Sequence, residues 1–394
     1  MKDFIVAQDF FPEIGGAHKW LYEVYKRWPT PVTALVQDYS SNPILGEKQI
    51  AFDSNNHGEL YIKRTDMKVE NIDLFDFHFF KKIWRNYKTL KIQVAAETAR
   101  IHCLRAFPEA IPAILLKKAN PNKISIITYA HGEEILTAQT SRQLSLVARW
   151  VYRNSDLVIA NSQSTRGLLK SFSSTGTVTC IHPGVDVSTF DIEKNQLDKF
   201  RAGFDWPEDT VVLCTMARME PRKNHLKVID SVSVLRKKGF NVAYIVGSDG
   251  EEKMRLKKRV RELNLDRFVH FTGHVTEEER LSIFRISDIH VMPSVQAGSM
   301  IEGFGIVFIE AAAAGIPSIA GNTGGQAEAV INGLTGIVID GNKMDEIVYA
   351  IAYLIENKPA RKALGMAGKA WALQNDWKNI AGRTYETILR TACS

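Results

Sequence analysis

Apolar runs of strand length alternate with amphipathic segments of helix length along this 394-residue chain. That alternation most restricts the fold. Strands joined through helices lie parallel, and a parallel sheet needs helices over both faces. Residues 4–10, 33–38, 124–130 and 157–161 read as buried strands in the first half. Residues 211–217, 242–246, 268–272, 289–292, 317–320 and 336–339 read so in the second, and helical patterns at 18–27, 226–238 and 344–356 lie among them. Ten strands exceed the roughly four to six of a usual sheet. The expected fold class is therefore α/β, with two Rossmann-like doubly wound domains. Residues 1–195 form the first and residues 196–376 the second, while residues 377–394 carry a helix that crosses back to the first. The polar, strand-poor stretch 186–207 marks the boundary and a hinge. Residues 40–92 follow no clear pattern.

Composition narrows the class further. Hydrophobic residues are 45% and charged residues 24% of the chain, which excludes disordered and collagen-like chains. Cys103, Cys180, Cys214 and Cys393 are far apart and form no metal-binding or redox spacing, so no disulfide framework is expected and a reducing cytoplasm is the expected compartment. No run of about 18 apolar residues predicts a spanning helix, and the first residues read as a strand rather than a signal peptide. Net charge is +6, and residues 1–195 hold 24 basic against 20 acidic residues. Neither half is a polybasic module. No nucleic-acid partner is expected, whereas an anionic small molecule or an anionic surface is allowed.

Ligands of parallel sheets bind beyond the carboxyl ends of the strands, so the loops that follow strands are informative. After the first strand, Gly15 and Gly16 let the backbone turn and bring its N–H groups to a ligand at a helix start. After strand 211–217, Arg218 and Lys223 can converge above the sheet, where two cations neutralise a diphosphate. The densest signal is Glu302-Gly-Phe-Gly-Ile, with Glu310 eight residues on and an alanine run to Gly315. Eight residues are about 2.2 helical turns, which lets both glutamates face one ligand. Gly303 and Gly305 open the helix start to a phosphate, and a glutamate accepts hydrogen bonds from sugar hydroxyls. Gly324 and Gly325 form another glycine turn, with Glu328 either beside the same pocket or capping a helix. His131 stands at a strand end before Gly132, where it either reaches a ligand or only bridges backbone groups.

Taken in order, the Gly15-Gly16 loop, the Arg218…Lys223 pair, the Glu302…Glu310 element and Gly324-Gly325-x-x-Glu328 resemble the GT-B glycosyltransferases of the family 4 type. His131-Gly132, His182-Pro-Gly-Val-Asp186 and Gly247-Ser-Asp-Gly250 add to the resemblance, which covers nearly the whole chain. It implies a second domain that binds a nucleotide-diphospho-sugar and a first domain that binds the acceptor. By carry-over, Glu310 holds the ribose hydroxyls and Glu302 contacts the transferred sugar. Phe304, Gly305 and Ile306 offer backbone N–H groups, Arg218 and Lys223 clamp the diphosphate, and Gly16 approaches it from the first domain. Gly247 lies in the donor region, and His131 reaches the transferred sugar. The family transfers with retention at the anomeric carbon. His102 and Arg105, after an expected strand of the first domain, are acceptor candidates.

No Asp-x-Asp pair follows a strand, and Arg218 and Lys223 already supply the charge of a divalent ion. Metal independence is therefore expected, with no cofactor beyond the donor sugar nucleotide. The segments 292–305 and 320–325 are similar to mannosyltransferases that use GDP-mannose on lipid acceptors, with UDP-sugars as the other donors to weigh. The basic, aromatic run 79–91 reads as a peripheral contact with an anionic membrane or as a solvated helix over the sheet. A sugar-nucleotide epimerase of the same fold and a non-catalytic nucleotide-sugar binder remain the rival readings. The sequence leaves the oligomeric state open.

Overall fold

The computed structural model describes residues 1–13, 15–69, 77–95, 97–173 and 176–392. Ile14 of the glycine loop and Cys393 lie outside the described residues. The chain forms two compact units, one of Met1–Pro183 with the stretch from Trp377 onward, the other of Gly184–Asp376. The first contains β1 (Lys2–Ala7), β2 (Val32–Gln37), β3 (Leu60–Thr65), β4 (Ala99–Cys103), β5 (Ile124–Ala130), β6 (Leu157–Ala160) and β7 (Thr177–Cys180). The second contains β8 (Val211–Met216), β9 (Val242–Gly247), β10 (Val269–Gly273), β11 (Ile289–Met292), β12 (Ser318–Gly321) and β13 (Gly336–Ile339). Every pairing within the two sheets is parallel. Their orders are β3-β2-β1-β4-β5-β6-β7 and β10-β9-β8-β11-β12-β13. Both are doubly wound, with the order reversing between β1 and β4 and between β8 and β11. Those two reversals open the crevices where such sheets bind ligands.

Three strands depart from the apolar pattern, and each has a reason. β3 and β7 are edge strands, where one flank needs no apolar cover. β4 carries Arg100 and His102 into the sheet interior, which an apolar count rejects. Asp3 on β1 makes this tolerable: it accepts from Arg100 Nε and Nη2 at 2.7 and 2.8 Å, lies 2.9 Å from His102 Nε2, and accepts from Trp28 Nε1 at 3.2 Å. The Tyr25 hydroxyl closes the network on His102 Nδ1 at 2.6 Å and on the Tyr129 hydroxyl at 3.0 Å. A buried charge with this many partners avoids most of the penalty of an isolated one.

The first unit ends at Pro183, twelve residues before the boundary expected at 195. Residues 185–190 pair with the end of the second unit instead. The Val185 N–H donates to Asn375 O at 3.1 Å, and the Phe190 ring lies 6.1 Å from Phe284 in an edge contact. A strand-poor stretch therefore gives no boundary by itself, because its backbone groups still need partners. The helix Trp377–Ala392 returns to the first unit, where Tyr385 meets Trp28 edge to face at 5.0 Å.

Candidate active site

In the second unit the loops after β8 and β11 emerge side by side at the order reversal, and the charged residues meet there. Beyond β8 the chain is pinned from several sides. The Met219 N–H donates to Asp249 O at 2.9 Å, and a Cβ on Gly250 would stand 2.5 Å from the Met219 nitrogen. Asn224 takes the left-handed conformation (φ 64°) and donates its amide to Pro293 O at 3.0 Å and to Gly341 O at 2.7 Å. A 3-10 turn over Pro221–Lys223 buries two neighbouring cations. The Lys223 ammonium pairs with Glu302 Oε2. Arg222 donates Nη1 to the same oxygen at 3.2 Å and to Ile301 O at 3.3 Å, and Nε to Glu220 at 3.0 Å. Arg218 is largely exposed, with its guanidinium 2.9 Å from Glu220.

Glu302 is thus a buried carboxylate facing three cations. Burial pushes its carboxyl up, but Lys223 and Arg222, with Arg218 behind them, more than offset this and hold it below the usual range. Its backbone is fixed by the glycine turn after β12. Gly324 has φ +68°, and a Cβ there would stand 2.2 Å from Glu302 O, while the Gly325 N–H donates to that oxygen at 2.9 Å. Gly325 and Gly324 therefore aim Glu302.

Gly305 caps the helix Ile306–Ala313 at φ +90°, and a Cβ there would stand 2.6 Å from the Phe308 ring. Phe304 sends its ring into the core, so it presents backbone at the helix start. Glu310, 3% exposed, lies 2.6 Å from Arg280 Nη1. Glycines on the helix Lys358–Gln374 let it pack closely here: a Cβ on Gly365 would stand 2.1 Å from Gly315 O, and one on Gly368 3.5 Å from Ala312 Cβ. Gly247 closes β9 against Met216, where a Cβ would stand 2.2 Å from the sulfur.

In the first unit the equivalent reversal gathers a second group. Arg105, after β4, pairs with Asp9, after β1. Glu109 is 3% exposed, and burial pushes it up to about 7 against the charge of Arg105. Among the described residues its Oε2 has no hydrogen-bond partner. His131, after β5, lies 2.8 Å by Nε2 from Leu104 O, which only accepts, so Nε2 carries the proton. Its backbone N–H donates to Glu134 at 2.7 Å. Burial, then the charge of Arg105, lower the His131 ring to about 4, and burial lowers His18 to about 4 as well. Both are neutral near pH 7. Gly15 lies in extended backbone directly before the helix Gly16–Tyr25, and a Cβ there would stand 2.8 Å from the His18 ring.

The structure brings Lys223 and Glu302 together and places Arg218 at the rim behind Glu220. It joins Arg105 to His131 electrostatically but separates His102 from both. His102 lies within β4 rather than after it, fully buried and bonded to Tyr25 and Asp3, so it serves the core. Arg222, Arg280, Asp9, Glu109 and His18 were not legible as site residues. Only Arg222 carried a signal, as a second cation beside Lys223.

Two family models match: Glycosyltransferase Family 4 over residues 54–189 and Glycosyl transferases group 1 over residues 197–371. A Mycobacterium tuberculosis protein named GDP-mannose-dependent alpha-(1-6)-phosphatidylinositol monomannoside mannosyltransferase is 30% identical over 284 residues, 71% of this chain and 72% of that one. A Corynebacterium glutamicum protein, the GDP-mannose-dependent monoacylated alpha-(1-6)-phosphatidylinositol monomannoside mannosyltransferase, is 28% identical over 99% of this chain and 98% of its own. Among solved structures, Anabaena HepE in complex with UDP and glucose superposes with a TM-score of 0.80 at 19% identity, covering 98% of this chain and 99% of that one. With two wound sheets and the paired glutamates in place, the chain belongs to the GT-B glycosyltransferases of the family 4 type.

Proposed function

We propose that the protein transfers a hexose, with retention, from a nucleotide-diphospho-sugar to a glycan or lipid-linked acceptor in the synthesis of a cell-envelope polysaccharide or glycolipid. The observation that carries this reading is the buried Lys223–Arg222–Glu302 group at the β8/β11 reversal, with Glu310 eight residues along the following helix. Breaking the bond from the anomeric carbon to the diphosphate oxygen leaves negative charge on the diphosphate. Lys223, Arg222 and Arg218, with N–H groups at Gly305 and Ile306, stabilise that charge. The acceptor oxygen bonds to the same face of that carbon, and its proton passes to the departing phosphate oxygen. Glu302 contacts the transferred sugar, and Glu310 accepts from the ribose. His131, with its Nε2 proton committed to Leu104, keeps Nδ1 as an acceptor for a sugar hydroxyl. Arg105 belongs to the acceptor side. Three fixed cations supply the charge a divalent ion would, so activity is expected to survive EDTA.

GDP-mannose leads as donor because the relatives above carry that dependence in their names. UDP-glucose is the alternative, since HepE is solved with UDP and glucose. A panel of nucleotide-sugars scored by melting temperature tests the reading. A ligand at 100 times its dissociation constant adds about 2.7 kcal/mol of stability. No shift with any GDP- or UDP-sugar would refute it, and an inverted product anomer by NMR would refute retention.

The helix Phe77–Val94 supports a peripheral place on the cytoplasmic face of a membrane. It has five Lys or Arg and no acidic residue, and Phe77 (82% exposed) and Trp84 (55%) point outward. No helix among the described residues is long and apolar enough to cross a membrane. Salt-sensitive sedimentation with anionic vesicles, weakened by Lys81→Glu with Lys82→Glu, is the expected result, and its absence removes this contact.

A further inference from the structure

We infer that Arg280 is a positioning residue for the donor's ribose, acting through Glu310. The inference rests on the reading that Glu310 accepts hydrogen bonds from that ribose. Arg280 lies on the helix Glu277–Ile286, outside every motif of the donor site. Its guanidinium is held at both ends. Nε and Nη2 donate to the two carboxylate oxygens of Glu277 at 2.8 and 2.5 Å, and Nη1 donates to Glu310 Oε2 at 2.6 Å. The planar fork is thus fixed against its own helix, and its remaining edge is presented to Glu310.

The chemistry of Glu310 requires such a partner. Glu310 sits on an eight-residue helix whose neighbours are Ile, Phe and Ala, and an ionised carboxylate in such surroundings is costly unless it is paired. A protonated carboxyl would also offer a hydroxyl group fewer acceptor sites. Arg280 meets both needs. It places a counter-charge against Glu310 before the ligand arrives, and by occupying Oε2 from one side it fixes the carboxylate plane. The carboxylate then holds one orientation toward a vicinal diol. Lys cannot reproduce this, because an ammonium lacks the fork that Glu277 anchors. Arg280 is tied to Glu277 and Glu310, so its effect is expected on nucleoside binding rather than on the chemical step.

The test uses the full-length protein and calorimetric titration with GDP, UDP and their 2′-deoxy and 3′-deoxy analogues. Wild type is expected to prefer the ribonucleotide by about tenfold or more, the scale of a hydrogen bond to a charged group. In Arg280→Met that preference falls to about twofold or less, and the KM for the donor rises while kcat stays within about twofold. Arg280→Lys, which keeps the charge and is the milder change to the fold, lies between them. An unchanged preference for ribose in whichever of the two variants folds, or a fall in kcat with KM unchanged, overturns the role of Arg280. If wild type binds the nucleoside diphosphates but has no preference for ribose, Glu310 and Arg280 lose their roles together. Failure of wild type to bind any of them removes the donor site itself.

Discussion

Replacing Glu302 by Gln separates an aiming carboxylate from a passive one. In the folded protein Lys223 and Arg222 are both buried against that carboxylate. Gln keeps the shape but leaves the two buried cations with the carboxylate of Glu220, 3.0 Å from Arg222 Nε, as counter-charge. Removing one partner of a buried pair costs about 3–5 kcal/mol, and Glu220 keeps the loss near the lower end. For a domain of this size each kcal/mol moves the melting temperature by roughly 2–4 °C. A fall of about 6–12 °C in scanning calorimetry at pH 7 is therefore expected. The gap has a sign in pH. Glu302 is held below its ordinary value of 4.5, so its stabilisation is present above that pH and is lost as the pH drops through the lowered value. Wild type and variant should converge on acidification. Inorganic pyrophosphate should stabilise the variant more than wild type, because its charge compensates cations that the amide no longer neutralises. An unchanged melting temperature, or equal pyrophosphate shifts in both proteins, would refute the reasoning.

Glu109→Gln tests the buried acid of the first unit. The Glu109 carboxyl is raised to about 7, so its contribution is complete below 4.5 and fades as the pH rises to about 7. The variant should gain on wild type over that interval by up to roughly 3 kcal/mol and by no more above it; denaturant melts at pH 4.5 and 8 with equal differences would overturn the assignment. Gly324→Ala places a Cβ 2.2 Å from Glu302 O at φ +68°. A loss of about 2–4 kcal/mol is expected from overpacking and left-handed strain, with weaker donor binding because Glu302 shifts. A variant as stable and as active as wild type would show that the turn does not aim Glu302.

Legibility differed between the strands and the charges. Strands buried on both faces, such as β6 and β9, are apolar throughout and read directly as runs. A strand was expected before His102, but its extent through residue 103 was not legible, because Arg100 and His102 break the apolar run and find their partner in Asp3, 97 and 99 residues away. Glu302 and Glu310 stood out because their spacing about the glycine-opened helix start, with Glu302 in the loop before it and Glu310 within it, is written in the local sequence. Arg280 left no trace, since its link to Glu310 crosses from one helix to another. His102 looked like a loop residue until the register of β4 against β1 set it in the sheet, paired with Ile5.

The amino-acid sequence by itself determined the parallel, doubly wound architecture, the glycine turns and the spacing of the two glutamates. Each is a local property, set by periodicity of 2 or 3.6 residues and by what a residue's own backbone permits. Only the tertiary structure decided which charges meet: Arg222 with Lys223 on Glu302, Arg280 on Glu310, Asp9 on Arg105, and Asp3 in the core. Electrostatic energy depends on distance and burial, and residues far apart along a chain acquire both only when strands from separate segments line up side by side.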